Sequence, residues 1–169
     1  MKNYNDNYNS KQRGYSNRSN RPAGNYNTSQ RTDPLKGVQP VKEPLSAYYH
    51  GKDDIYLING PIYKEAEKIK TITNSQLRKV LDLVKESLVM ARQDPDNFEA
   101  ARVRLFALLP MLAYNYGRAS NKDKEVHGEV LSFIYTNVSN ESIQSIKDIE
   151  TLDQLVTSLV AYHKFLGGK

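Results

Sequence analysis

The sequence predicts an all-α protein, a small helical bundle of four main helices plus one or two short ones, with a disordered N-terminal tail. In four segments between residues 74 and 166, apolar residues recur at steps of three and four, the spacing of one helix face. Short connections separate these segments, and strand-like alternation is limited to a few residues around Ile55. Residues 1–44 contain no Ile or Phe, so the side chains that can form a core lie in residues 45–169.

Two regions therefore divide the chain. Residues 1–44 are predicted to be a disordered Asn/Tyr/Arg-rich tail and a proline-containing linker, and residues 45–169 a helical bundle domain. The first region carries eight basic and three acidic residues, so it holds the whole formal net charge of +5. It has too few aliphatic side chains to offset the entropy of ordering. Two interpretations of the tail stay open: a solvated segment that keeps the protein soluble, or arginine and tyrosine side chains that contact single-stranded nucleic acid.

A connector with several prolines occupies residues 34–61 and is predicted to lie along the bundle as an extended arm. Asn59-Gly60 signals a turn, and Pro61 suits the first turn of a short helix over residues 61–70. The helical spacing turns three apolar residues of this segment inward: Ile62, Ala66 and Ile69.

The next helix is predicted over residues 74–92. Thr73 and Gln76 have the spacing of a capping box, in which the hydroxyl caps the helix and the amide three residues later reaches back. The apolar stripe of this helix consists of Leu77, Val80, Leu81, Val84, Leu88 and Ala91.

Basic residues form a line beside that stripe. Arg78, Lys85 and Arg92 recur every seven residues, and Lys79 flanks them. One interpretation is a solvated face with intrahelical ion pairs worth a few tenths of a kcal/mol, and periodicity alone favours it. The other is a patch that contacts phosphates, which Lys70 extends if the two helices dock side by side.

The most apolar run, LFALLPMLAYNYGR, spans residues 105–118 within a helix predicted over 97–117. Because the helix is apolar most of the way round, we expect it in the middle of the bundle. Pro110 implies either a kink or a second helix that has the proline in its first turn. Arg118, at the end of the run, fits a charge that caps helix carbonyls or a ligand for an anion.

Two more helices complete the domain. One is predicted over residues 121–137, with Val126, Val130 and Ile134 on its inner side. Thr151 and Gln154 repeat the capping-box pattern and are expected to open the last helix, which ends near Leu166.

The sequence offers no catalytic constellation. Its lack of cysteine excludes disulfides, thiolate catalysis and cysteine-based zinc sites. The three histidines are isolated, and neither an HExxH motif nor a glycine-rich phosphate loop is present. We therefore predict a protein that is not an enzyme and has no metal site and no cofactor. The absence of a long apolar run predicts a soluble, cytoplasmic protein without membrane partners.

Three segments together resemble a known family. They are ITNSQLRKVLDLV at 72–84, LLPMLAYNYGR at 108–118 and LVAYHKFLGGK at 159–169. They are similar to the Ser-Gln-(Ile/Leu)-Arg-Lys helix start, the Pro-x-Leu-Ala-Tyr-x-x-x-Arg segment and the Ala-Tyr-His-Lys ending with glycines of the small subunit of type III-A (Csm-type) CRISPR effector complexes. The resemblance extends over about residues 60–169 and gives no information on the tail.

This resemblance implies an all-helical, non-catalytic subunit of an antiviral ribonucleoprotein. Several copies stack along the filament beside the backbone subunit, and they contact the target RNA as it pairs with the guide RNA, chiefly through phosphates. Target cleavage and cyclic-oligoadenylate synthesis belong to other subunits. No small-molecule substrate is implied.

The resemblance also marks individual residues as candidate RNA contacts. By matching position these are Gln76, Arg78, Lys79 and Arg118. The basic line and its extension add Lys85 and Lys70 to the candidates. His163 and Lys164 match the last motif, and three roles stay open for them: RNA contact, contact with a neighbouring subunit, or the fold.

One alternative function belongs to another class of protein. In it the chain is a helical RNA chaperone whose Arg/Tyr tail carries the nucleic-acid binding, while the bundle dimerises. The two functions differ in where RNA affinity lies: in the tail for the chaperone, and on the basic face of the bundle for the assembly subunit.

Overall fold

The structure, a computed structural model, describes residues 33–169. Over this range the chain forms α-helices without strands, which confirms the all-α bundle. The helices are α1 (Leu45–Tyr48), α2 (Pro61–Lys68), α3 (Asn74–Gln93), α4 (Phe98–Phe106), α5 (Leu108–Arg118), α6 (Lys124–Asn137) and α7 (Ile146–Phe165), with 3-10 turns at Asp53–Tyr56 and Pro95–Asn97. The predicted disordered tail lies largely in residues 1–32, outside the described residues.

Helices α3 and α7 form the centre of the bundle and run antiparallel. Asn74, at the start of α3, meets Lys169 beyond the end of α7, whereas Arg92 near the end of α3 meets Glu150 near the start of α7. Helix α2 packs on α7, α4 packs on α3, and α5 packs on α6. The largest fully buried apolar side chains are Leu45, Ile69, Leu77, Leu105, Leu108, Ile134, Ile143, Ile149, Leu152, Leu155 and Leu159.

The apolar run at 105–118 is divided between two helices. Helix α4 ends at Phe106, Ala107 connects, and α5 begins at Leu108, so Pro110 is the third residue of α5. The N–H that a proline lacks has no helical partner in a first turn, and the break therefore costs no hydrogen bond. Of the two interpretations of Pro110, the second helix is correct.

The expected position of this run in the middle of the bundle is wrong. Only Leu108 and Leu112 of α5 are buried, and the helix packs mainly on α6 and on its neighbour α4. Its remaining apolar residues are partly or largely exposed, with Tyr114 at 61 %. An all-round apolar helix can thus lie at the edge of this bundle, and its outer side is left without a partner among residues 33–169.

The last helix starts earlier than predicted. Helix α7 begins at Ile146, and the hydroxyl of Thr151 donates to the carbonyl oxygen of Lys147 at 2.9 Å, as in a helix interior. The predicted cap at Thr151 is therefore wrong. The turn that opens α7 uses Asp148 instead, whose Oδ2 accepts from Ser145 Oγ at 2.8 Å and from the backbone N–H of Gln144 at 3.0 Å.

Backbone hydrogen bonds hold the connector before α2 to the end of α6 and to the loop between α6 and α7. The N–H of Val41 donates to the carbonyl of Thr136 at 2.8 Å, and that of Leu45 to Ser142 at 2.9 Å. The connector contains α1 and a 3-10 turn, so the expectation of an extended arm is wrong. The division of the chain at residue 44 stays a prediction.

Near α2 the predictions agree with the structure. Asn59 has a φ of 67°, in the left-handed region, and Pro61 is the first residue of α2. Ile62, Ala66 and Ile69 are buried, as the helical spacing predicts. No helix within residues 33–169 is long and apolar enough to cross a membrane.

Candidate nucleic-acid interface

The start of α3 is fixed by the predicted capping box. Thr73 Oγ1 accepts from the backbone N–H of Gln76 at 3.3 Å, and Gln76 Oε1 accepts from the N–H of Thr73 at 3.3 Å. These bonds satisfy donors that the first turn of a helix leaves open. The cap occupies the side-chain oxygen of Gln76, and its amide nitrogen is the donor that is left for a ligand.

The segment after α7 also holds the start of α3. The backbone N–H of Asn74 donates to the carbonyl of Lys169, and Asn74 Nδ2 donates to the carbonyl of Gly168 at 3.3 Å. His163 is fully buried, and its Nε2 lies 3.1 Å from the carbonyl oxygen of Ile72. Because a carbonyl oxygen only accepts, Nε2 of His163 carries a proton. This contact ties α7 to the turn that leads into α3.

The basic line on α3 is largely neutralised by α7. Lys85 Nζ lies 3.1 Å from Asp153 Oδ1, and Arg92 Nη2 lies 2.6 Å from Glu150 Oε1. Arg78 is exposed and makes no ion pair or side-chain hydrogen bond with residues 33–169. Lys85 and Arg92 are thus paired, but with carboxylates of α7 and not within α3 as the first interpretation expected. Arg78 is the unpaired cation of the line among the described residues.

Two further cations lie near Arg78 along the chain. Lys79 is exposed on α3, and Lys70 is exposed in the turn between α2 and α3. Neither makes an ion pair within the described part of the chain. Lys68 differs, because it contacts Glu65 at 2.7 Å and Glu129 at 3.7 Å. The hydrogen bond to Glu65 raises the pKa of Lys68 against the opposing effect of burial.

Arg118 is the last residue of α5 and lies on a different element from the other candidates. Its Nη1 donates to the hydroxyl of Tyr114 at 3.2 Å, and its guanidinium lies 5.4 Å from the centre of that ring. This is a cation–π contact one helical turn apart. Among residues 33–169 no carboxylate pairs with Arg118, so the charge stays available to an anion.

A family model, described as Csm2 Type III-A, matches residues 59–169. The chain belongs to the Csm2 family. It is therefore a small subunit of a type III-A CRISPR complex and assembles with other Csm subunits. The match covers α2 to α7 and all six candidate RNA-contact residues, whereas α1 and the N-terminal tail lie outside it. Neither the curated proteins nor the solved structures include a match to the chain.

In this Csm2-family chain two of the three recognised segments meet. Residues 72–84 and 159–169 are joined by the contacts of His163 with Ile72 and of Asn74 with Gly168. The third segment, 108–118, forms α5 at the edge of the bundle. The candidate contacts on α3 and at Arg118 therefore lie on different helices of the Csm2 bundle.

Sequence analysis missed the acidic partners of the basic line. Glu150 and Asp153 lie three residues apart on α7, which is a visible signal, but pairing them with α3 requires the antiparallel register of the two helices. Within residues 33–169 no group of three His, Asp or Glu side chains is arranged to hold a metal ion.

Proposed function

We propose that this chain is a non-catalytic subunit that contacts target RNA. Copies stack along the ribonucleoprotein filament beside the backbone subunit that holds the guide RNA. Each copy contacts the phosphates of the target strand as that strand pairs with the guide. Membership of the Csm2 family supports the setting, and the cations around the start of α3 support the RNA contact.

The observation that carries the proposal is the difference between Arg78 and the other two members of its line. Lys85 and Arg92 have carboxylate partners, whereas Arg78 is exposed and without one among the described residues. Because Arg78 has no such partner, its binding to a phosphate does not require an existing ion pair to be broken first. Lys79, the next residue, adds a second exposed cation without an ion pair among the described residues.

Phosphate contacts of this kind are sufficient for the proposed role. In a guide-directed complex, base pairing with the guide reads the sequence, and the protein needs only to recognise the backbone. Each contact is weak and depends on salt concentration. Stacked copies multiply such contacts along one target strand, so a bundle with little net charge of its own can serve.

The remaining candidates take secondary places. Lys70 and the amide nitrogen of Gln76 lie at the approach to α3, and Arg118 makes a separate contact from the end of α5. Lys85 contacts RNA only if a phosphate replaces Asp153, whose Oδ1 lies 3.1 Å from Lys85 Nζ in the bundle. We therefore expect substitution of Lys85 to matter less than substitution of Arg78.

Stacking between copies has support from the outer side of α4 and α5. Val103 is 63 % exposed and Tyr114 is 61 % exposed, although Arg118 lies against the Tyr114 ring. Exposed apolar side chains of this size on neighbouring helices fit a protein contact. We propose that the contact between stacked copies lies on this side of α4 and α5.

Deleting residues 1–34 separates this function from that of a tail-driven RNA chaperone. We expect the complex with the shortened chain to keep most of its affinity for target RNA, and the complex with Arg78→Ala and Lys79→Ala to lose affinity while the helical signal is unchanged. Loss of affinity on deletion, with both substitutions tolerated, would instead support the chaperone.

The non-catalytic part of the proposal has its own test. The purified chain is incubated with labelled RNA and Mg²⁺, and the RNA is expected to stay intact. Cleavage that follows the chain through successive purification steps would contradict the proposal.

A further inference from the structure

The groove between α3 and α7 has different charge at its two ends. At one end, Glu150 and Asp153 of α7 pair with Arg92 and Lys85 of α3. After Asp153, α7 contains no further acidic residue, and its next formally charged side chain is Lys164. Toward the end that includes Arg78, α7 therefore supplies no carboxylate of the kind that neutralises Lys85 and Arg92.

The two ion pairs fix the register that places Lys164 beside this end. Arg78 precedes Lys85 by seven residues, two turns of α3, and Lys164 follows Asp153 by eleven residues, three turns of α7. Both residues therefore stay on the groove side of their helices. Because the helices are antiparallel, both extend from the Lys85–Asp153 pair toward the same end, and a rise of 1.5 Å per residue leaves them about 6 Å apart along the groove.

The hydrogen bonds at this end keep that arrangement in place. His163, next to Lys164, contacts the carbonyl of Ile72, and Asn74 contacts Gly168, so the last turn of α7 is fixed against the first turn of α3. Lys164 is exposed and, like Arg78, makes no ion pair with residues 33–169. Asp82, one turn beyond Arg78 on α3, is the nearest acidic residue along that helix and makes no ion pair with it.

We propose that Lys164 is a further RNA-contact residue, which with Arg78 forms a phosphate-binding cradle shared by α3 and α7. The inference rests on the proposed function and adds to it a second helix and a specific residue. Cations on two facing helices, offset by about 6 Å along the groove and carried on long side chains, suit successive phosphates of a single strand that follows the groove. His163 then serves the fold, and Lys164, the adjacent residue, serves the RNA.

The test compares complexes assembled with Lys164→Ala, Lys164→Arg, Arg78→Ala or Lys147→Ala in the full chain. Lys147 is the matched control, because it is exposed on α7 near the opposite end of the helix and makes no ion pair with the described residues. Affinity for target RNA is measured over a range of salt concentrations. An unchanged unfolding midpoint of each isolated variant shows that the fold is retained.

We expect Lys164→Ala to weaken binding several-fold and to lower the slope of log affinity against log salt by about 0.7–0.9 for each bound copy. Lys164→Arg keeps the charge and should restore both values, and Lys147→Ala should change neither. If Lys164→Ala behaves like the Lys147 control while Arg78→Ala weakens binding, the inference is wrong and the proposed function stands. If Arg78→Ala and Lys164→Ala both match the control, the proposed function fails as well.

Discussion

The imidazole of His163 lies 3.1 Å from the carbonyl oxygen of Ile72 and closes the end of the bundle at which α3 begins. The two residues are 91 positions apart in the chain, and the histidine is fully buried. Through this contact, the end of α7 determines where the first turn of α3 lies. The same turn carries the cap formed by Thr73 and Gln76 and leads directly to Arg78.

Gly168 provides a test of how closely this end is packed. A Cβ at Gly168 would overlap the ring of His163, which is buried and cannot move aside. We expect Gly168→Ala to lower the free energy of unfolding by about 2 kcal/mol, measured by urea denaturation. Gly117→Ala is the matched control, because Gly117 lies in α5 and a Cβ at this position would have no neighbouring atom within 4 Å. That substitution should be neutral or stabilise by up to about 1 kcal/mol, and equal losses in both variants would contradict the account.

The environment of the Asp148 carboxylate predicts how the stability of the fold depends on pH. It is buried, and its Oδ1 accepts from the N–H of Ser46 at 2.9 Å while Oδ2 accepts from Ser145 and Gln144. Burial raises the pKa of Asp148, but the hydrogen bonds, led by that from Ser46, outweigh this effect and lower the pKa below its usual value. The carboxylate therefore stabilises the fold above the unfolded-state pKa of about 3.9, and this contribution disappears as the pH falls through the lower folded-state pKa.

The corresponding variant is Asp148→Asn. Its amide cannot accept all three hydrogen bonds, so we expect a loss of about 2 kcal/mol in the free energy of unfolding at neutral pH. The difference from the unmodified chain should shrink as the pH drops below about 4. Asp82→Asn, at an exposed position of α3, should have little effect. A difference for Asp148→Asn that stayed constant from pH 7 to pH 3 would contradict the assigned role of the carboxylate.

Val103 tests the stacking surface. Replacing this exposed residue of α4 with glutamate puts a charge on the outer side of α4 and α5, and we expect fewer copies of the chain in each assembled complex, counted by native mass spectrometry. The isolated bundle should keep its stability because Val103 is not part of the core. Leu57→Glu is the control, since Leu57 is 62 % exposed and precedes the family match. Equal incorporation of both variants would contradict this prediction and show that the stacking contact does not involve Val103.

Local signals in the sequence predicted local structure well. The cap at Thr73 depends on four consecutive residues, and Pro110 limits a helix boundary to a narrow range, so both could be placed without knowledge of the fold. Thr151 shows the limit of such signals. The same four-residue pattern occurs inside α7, where the hydroxyl bonds to the carbonyl four residues earlier, and the pattern alone does not distinguish the two cases.

The sequence patterns could not predict contacts between residues that are distant in the chain. Periodicity placed Arg78, Lys85 and Arg92 on one face of α3, and it gave no sign that two of them meet carboxylates 68 and 58 residues later. The position of α5 failed for a related reason. Its composition indicates burial on every side, but which side is covered depends on how many neighbours pack around it, and residues 33–169 supply only α4 and α6 as main contacts.

The most direct test of the proposed RNA contact compares Arg78→Ala with Arg92→Ala. Both arginines lie on the same helix line, and they differ in that Arg92 is paired with Glu150 at 2.6 Å. Affinity of the assembled complex for target RNA is measured as a function of salt concentration. We predict that Arg78→Ala weakens binding and lowers the salt slope by about 0.7–0.9 for each copy in contact, while Arg92→Ala leaves both values unchanged. Equal effects of the two substitutions, or no effect of Arg78→Ala, would contradict the central claim.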